Sequence, residues 1–285
     1  MEYCRSTYEI EYIKALTPFI FVALISLENN AALAKGEAGE PIEGSPFSAN
    51  ITLNSNWVWR GLAQTDYKPA IQGGFDYVHE SGFYIGNWNS STRWVSDGGY
   101  AKSAPIEMDF YGGIKREWIG EGFATDIGFI QYTYPTSGIN PGYINPNTGE
   151  VYISQDFTFG PINGSAKFFY AVSNTFGTAN SVGSYYPEFN VNYETGILGI
   201  ILNSHVGYQK INGQYYEVGQ ASYSYADWLI GISKDLGDGF YASAAYVGTN
   251  VKKGSGDFAN TYAYVTSTGG NAGRNTGFIS LTKTF

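Results

Sequence analysis

From Ser48 to Phe285 the chain divides into segments of about ten residues, and the connectors between them alternate short with long along the whole length. The segments are 48–60, 69–79, 82–92, 104–115, 122–134, 149–160, 163–173, 186–195, 198–210, 222–234, 239–250 and 274–285. Each is rich in aromatic and β-branched side chains and bounded by Gly, Asn, Asp, Ser or Pro, which is how strands and turns are written in sequence. The short connectors are His79 to Gly82, Arg116 to Glu121, Gly160 to Asn163, Thr195 to Ile197 and Asp235 to Gly239; the long ones are 61–68, 93–103, 135–148, 174–185, 211–221 and 251–273. A soluble sandwich has no reason to keep that alternation through about twelve strands. A bacterial outer-membrane barrel does, because its periplasmic turns are short and its external loops long. The expected fold is therefore all-β: a transmembrane antiparallel β-barrel of about 12 strands, with N- and C-termini periplasmic.

Side-chain alternation agrees in several segments. Leu198, Ile200 and Leu202 share one face and Asn203, His205 and Gly207 the other. Ile106, Met108 and Phe110 oppose Glu107, Asp109 and Lys115, and Phe189, Val191 and Tyr193 oppose Glu188, Asn190, Asn192 and Glu194. Segments 122–134 and 239–250 are blurred by Gly and Ala. Composition fits a wall with one face in lipid: charged residues are 14% of the chain, against about 25% in an average soluble domain. After the first thirty or so residues no run approaches the ~18 apolar residues of a spanning helix. The formal net charge of -9 argues against a nucleic-acid partner.

Lys14 followed by the apolar stretch 15–27 and the small residues Ala32-Leu33-Ala34 reads as an export signal over 1–34. Residues 35–47, rich in Gly, Pro and Glu, read as a flexible periplasmic lead-in, leaving 48–285 as the barrel. The single cysteine, Cys4, falls within the signal, so neither disulfides nor thiolate metal sites are expected. The last segment ends on Phe285, with Ile279 and Leu281 in the same phase, a terminal aromatic strand of the kind that barrel assembly machinery reads as a sorting signal.

Ser55-Asn-Trp-Val-Trp-Arg-Gly-Leu-Ala-Gln-Thr65, Pro69-Ala-Ile-Gln-Gly-Gly-Phe-Asp-Tyr77 and Ser81-Gly-Phe-Tyr-Ile-Gly-Asn-Trp88 form one block. Later come Glu107 to Gly113, Gly128 to Pro135, Ala226-Asp227-Trp228 with Gly231, and Lys283-Thr284-Phe285. Together these resemble the TorF family of porins, formerly the Gcw_chp family of uncharacterised outer-membrane proteins, over nearly all of 48–285. The resemblance implies an outer-membrane barrel of porin type with no assigned substrate. Trp57 and Trp59 stand where that family more often has Tyr and Phe.

Strand phase nominates pore-lining residues: Arg60, Asp76, Glu107, Asp109, Lys115, Asp156, Lys167, Glu188, Glu194, His205 and Arg274, with Asp126 and Asp227 as further inward acids. Arg60 closes segment 48–60 in phase with Asn54 and Asn56 and is expected to point into the lumen, within reach of Asp76 on the next strand, as a constriction cation or a structural ion pair. The excess of inward acids implies a mild cation preference. Trp57, Trp59, Trp88 and Trp228 are expected in interfacial aromatic girdles, with a sugar-stacking track inside the pore as the other possibility. Loops 135–148 and 251–273 are the candidates for an infolded constriction or an external recognition surface.

No metal-ligand spacing, phosphate-binding loop or cofactor motif is present. The function expected is a porin-like channel for passive diffusion of small solutes or ions, located in the bacterial outer membrane. Its partners would be outer-membrane lipids and lipopolysaccharide, the barrel assembly machinery and the solute. The alternatives are a plugged structural or adhesive barrel, a soluble secreted β-protein, and a barrel enzyme of lipase or protease type. The last would need a partner for His205 from a neighbouring strand, because adjacent residues such as Ser204 face the opposite way.

Overall fold

The computed structural model describes residues 45–213 and 220–285. The expected signal, 1–34, and all but the last residues of the lead-in lie outside the described residues. Twelve strands form the wall of a closed barrel: β1 (Phe47–Asn54), β4 (Ala70–Val78), β5 (Phe83–Ser91), β6 (Ile106–Gly120), β7 (Phe123–Thr133), β8 (Thr148–Phe159), β9 (Ile162–Ala171), β10 (Tyr185–Glu194), β11 (Ile200–Gln209), β12 (Tyr225–Gly237), β13 (Phe240–Thr249) and β14 (Thr276–Thr284). Every wall strand pairs antiparallel with its neighbours in chain order, and β1 closes on β14 in the register Asn50 to Thr284 through Asn54 to Ser280. Closure pairs both edges of the sheet, the condition for crossing hydrocarbon without unsatisfied backbone.

All twelve expected segments are present as strands. The short connectors gather at one rim and the long ones at the other. The ends of the wall meet at the short-turn rim, where the Phe285 N–H donates to the Ala49 carbonyl (2.8 Å).

Burial is inverted relative to a soluble barrel. Ile51, Leu53, Ile71, Ile85, Ile127, Ile153, Val206, Ile230 and Ile279 are all exposed on the outer face, whereas Thr52, Gln72, Asp76, Asp126, Ser154, Lys167, Asn190 and Asp227 are buried inside. An apolar outside and a polar inside, alternating along each strand, is the pattern of a membrane-spanning barrel. Exposed aromatics mark both rims: Phe47, Phe83, Trp118, Phe159, Phe240 and Phe285 by the short turns, and Tyr170, Tyr208 and Tyr246 toward the long loops.

The inner surface is tightly filled. An ideal Cβ on Gly128 would lie 2.4 Å from the Tyr152 hydroxyl and 2.8 Å from the Gly112 carbonyl, so Tyr152 of β8 lies across a bare stretch of β7. There it meets Tyr84, which donates to Asp126 (2.6 Å), and carries the Lys167 ammonium over its ring at 3.9 Å. Gly128→Ala is expected to destabilise the barrel by about 1–3 kcal/mol, the range for overpacking a filled interior. Urea unfolding of the bilayer-inserted protein measures it, and an unchanged midpoint would show that this layer yields freely.

The first segment departs from expectation. It leaves the wall after Asn54 instead of running on to Arg60, and the chain turns inward as a two-stranded hairpin, β2 (Val58–Trp59) and β3 (Leu62–Ala63), paired Val58 to Ala63 and Trp59 to Leu62. Its tip is Arg60-Gly61, both with positive φ (43° and 75°), as a tight two-residue hairpin turn requires.

Candidate functional site: the infolded hairpin and the charged lumen

The hairpin crosses the inside of the barrel and touches opposite walls. Val58 is wholly buried among Leu229, Ala245, Val247 and Phe278 on the inner faces of β12 to β14. These apolar side chains interrupt an otherwise polar lining, and they explain why segment 239–250 looked blurred: part of its inward face is a seat for Val58. Gly61 is pressed against the same wall, where a Cβ would lie 2.4 Å from Thr249 Cγ2 and 2.7 Å from Asp227 Cβ. On the far side Trp59 packs edge to face against Tyr132 (5.6 Å) and Phe176 (4.7 Å).

Arg60 is fully buried and bridges to β8 and β11. Its Nη1 and Nη2 donate to the two carboxylate oxygens of Glu150 (3.1 and 2.7 Å), and Nη1 also donates to the Gln209 side-chain oxygen (2.6 Å). The guanidinium lies over the rings of Trp59 (4.3 Å) and Tyr186 (4.2 Å), with Phe169 at 5.0 Å. A planar fork that pairs both carboxylate oxygens while stacking on rings is what arginine provides and lysine does not. A left-handed backbone at a non-glycine residue costs on the order of 1–3 kcal/mol and persists only where the surroundings fix it; here the Glu150 and Gln209 bonds do so.

The base of the hairpin is held by its neighbouring loops. Ala63 N–H donates to Ala272 O (2.8 Å), and Arg93 N–H, just before the short helix α1 (Trp94–Asp97), donates to Gln64 O (3.0 Å). Tyr67 donates to Asn271 O (2.7 Å), and the Ser267 hydroxyl donates to Asp66 (2.6 Å). Burial alone would raise the Asp66 carboxyl, but the bonds from Ser267 and Lys68 and the Lys68 charge outweigh it and hold the group below the usual carboxylate value.

Among the sequence candidates, Asp76, Glu107, Asp109, Lys115, Lys167, Glu188 and His205 are buried on the inner face. Lys115 pairs with the partly buried Asp156 (2.5 Å), and Asp76 accepts from Tyr111 (2.8 Å), not from Arg60 as expected. Glu194 keeps the inward phase but stands exposed at the short-turn rim, where the wall no longer encloses it. Arg274 lies outside the lumen, exposed in the loop before β14 with its guanidinium 3.9 Å from the Tyr67 ring. Of the four girdle tryptophans, Trp228 packs against the exposed Tyr246 on the outer face. Trp57 and Trp59 are carried inside by the hairpin, and Trp88 packs on the interior cluster in phase with Ser90 and opposite Asp109. The hairpin that crosses the lumen comes from 55–69, while loops 135–148 and 251–273 contribute Tyr143, Ala263, Tyr264, Val265 and Ala272 to the cavity above it.

Glu150 and Gln209, the partners of Arg60, were not singled out from sequence. Glu150 was within reach of the same phase argument, since it alternates with Ser154 and Asp156; nothing local marks Gln209. His205 does meet groups from both adjacent strands: Asn190 at Nδ1 (2.7 Å), and Asp227 (2.9 Å) and Tyr186 (3.0 Å) at Nε2. Ser204 faces outward and donates to Val191 O (3.0 Å), so the described partners of His205 include no serine nucleophile.

Toward the long loops, a cavity of about 320 Å³ opens over the hairpin, lined by Trp59, Gln64, Trp94, Tyr100, Tyr134, Phe176, Gln209 and Tyr225 among others. Burial in its wall pushes the Tyr100 hydroxyl up to about 12.

Among solved structures the chain resembles the NanC porin (TM-score 0.51, 6% identity, 83% of this chain and 98% of that one). It also resembles the KdgM porin (TM-score 0.49, 7%, 84% and 99%). The outer membrane phospholipase A from Escherichia coli is a further match (TM-score 0.44, 11%, 83% and 91%). At these identities the likeness is one of fold. A comparison with curated proteins finds no match. The family model described as "Bacterial protein of unknown function (Gcw_chp)" matches residues 38–285, so the chain belongs to the Gcw_chp family.

Proposed function

We propose that this protein is a porin-like passive channel of the bacterial outer membrane, narrowed by its own hairpin, and not an enzyme. The observation that carries this reading is the closed wall with an apolar exterior and an interior lined by buried ionic groups, the polar lining that a water-filled lumen uses and charge rings use to select ions. The resemblance to the TorF porins points the same way. The long loops then face outward, the short turns and both ends of the wall face the periplasm, and the surroundings are outer-membrane lipid and lipopolysaccharide. Insertion would use the barrel assembly machinery.

Seven buried carboxylates (Asp76, Glu107, Asp109, Asp126, Glu150, Glu188 and Asp227) stand against three buried cations (Arg60, Lys115 and Lys167) among the described residues. That balance favours cations in the lumen. Planar-bilayer recording of the refolded protein is expected to give small discrete conductance steps, with a reversal potential in a salt gradient displaced to the cation side. A folded, heat-modifiable barrel that gives no steps would overturn the channel reading, and an anion-side reversal potential would overturn the charge assignment.

A further inference from the structure

The cavity over the hairpin differs chemically from the lumen beneath it. None of its lining residues among the described ones carries a charge at neutral pH, although the lumen beneath is acidic. Its walls are aromatic and held rigidly by mutual edge-to-face packing: Trp94 against Tyr100 (5.4 Å, 74°) and Tyr134 (5.1 Å, 85°), and Trp59 against Phe176 (4.7 Å, 72°). One polar atom at its lining is unspent among the described residues. Gln64 uses its side-chain N–H on the Leu62 carbonyl (3.0 Å), while its side-chain oxygen has no bond among the described residues.

We infer that this vestibule binds a neutral sugar of one or two rings. Its volume is within the range of small-ligand pockets, about 300–1,000 Å³. A charged solute would lose its hydration with no counter-charge among the described lining residues. A purely apolar solute would leave the Gln64 acceptor unpaired. A sugar ring offers an apolar face to the aromatic rings and hydroxyls that both donate and accept. The inference rests on the channel reading only for the vestibule's place at the mouth of the lumen.

The test is tryptophan fluorescence of the detergent-refolded protein titrated with glucose, maltose, glucuronate and benzyl alcohol, alongside bilayer recordings with maltose added on each side in turn. Saturable fluorescence changes with glucose or maltose, and reversible block from one side only, are expected. Trp94→Leu is expected to weaken maltose binding about tenfold, the scale of one lost ring contact. Thr178→Phe fills the cavity from a loop and is expected to abolish binding, while Trp228→Phe on the outer face leaves it unchanged; heat-modifiable mobility checks that each variant is folded. Failure of both neutral sugars to saturate, or a stronger response to glucuronate or benzyl alcohol, would overturn the inference. Conductance without sugar binding refutes the vestibule and leaves the channel standing, and sugar binding without conductance does the reverse.

Discussion

Replacing Arg60 with alanine is expected to release the hairpin from the lumen and raise single-channel conductance several-fold. Among the described residues the guanidinium is the positively charged group that Glu150 contacts, and both side chains are inaccessible to water. Removing one partner of such a pair leaves a buried uncompensated charge, at a cost of about 3–5 kcal/mol. Leaving the wall lets Glu150 regain water, so the energetic penalty and the conductance change should appear together. Arg60→Lys keeps the charge but loses the paired donors and the ring stacking, and is expected to fall between the two. Adding Glu150→Gln to Arg60→Ala removes the orphaned charge and should recover part of the lost stability without restoring the small conductance. Wild-type conductance and an unchanged melting temperature in Arg60→Ala would show that the apolar seat of Val58 alone holds the hairpin.

A charge placed on the outer face at mid-wall should prevent stable insertion. Ile153 lies in the middle of β8, half exposed, beside the equally exposed Ile127 and Phe168 across the sheet. Ile153→Arg is expected to cost about 2–4 kcal/mol in a bilayer, whereas the same change at Phe159, at the short-turn rim, costs about 0–1 kcal/mol. Urea titration of the lipid-inserted protein reads the difference. Equal costs at the two positions would mean that hydrocarbon does not surround the wall where the burial pattern places it.

Where Gly and Ala do not blur the alternation, the wall is legible in the sequence because a strand's two faces see different solvents. Segment 186–195 shows this: Phe189, Val191 and Tyr193 point away from the lumen, while Glu188 and Asn190 are buried within it. The same rule fails between Ser55 and Thr65. Trp57, Trp59 and Arg60 alternate there as a strand would, but the chain has left the sheet, and its pairing is with itself and with the inner wall. Arg274 and Glu194 were misjudged for a related reason: phase tells which way a side chain points, but not whether the wall extends far enough to enclose it.

The sequence by itself therefore determined the strand number, their order and the apolar exterior, since each follows from local periodicity and from connector lengths that force neighbours in the chain to be neighbours in the sheet. Tertiary structure alone decided what fills the barrel. Arg60 is 90 residues from Glu150 and 149 from Gln209, and Val58 meets three strands from the far end of the chain. Such contacts leave no period in the sequence, because closure of the barrel, and no local preference of the chain, brings those residues across the lumen to one another.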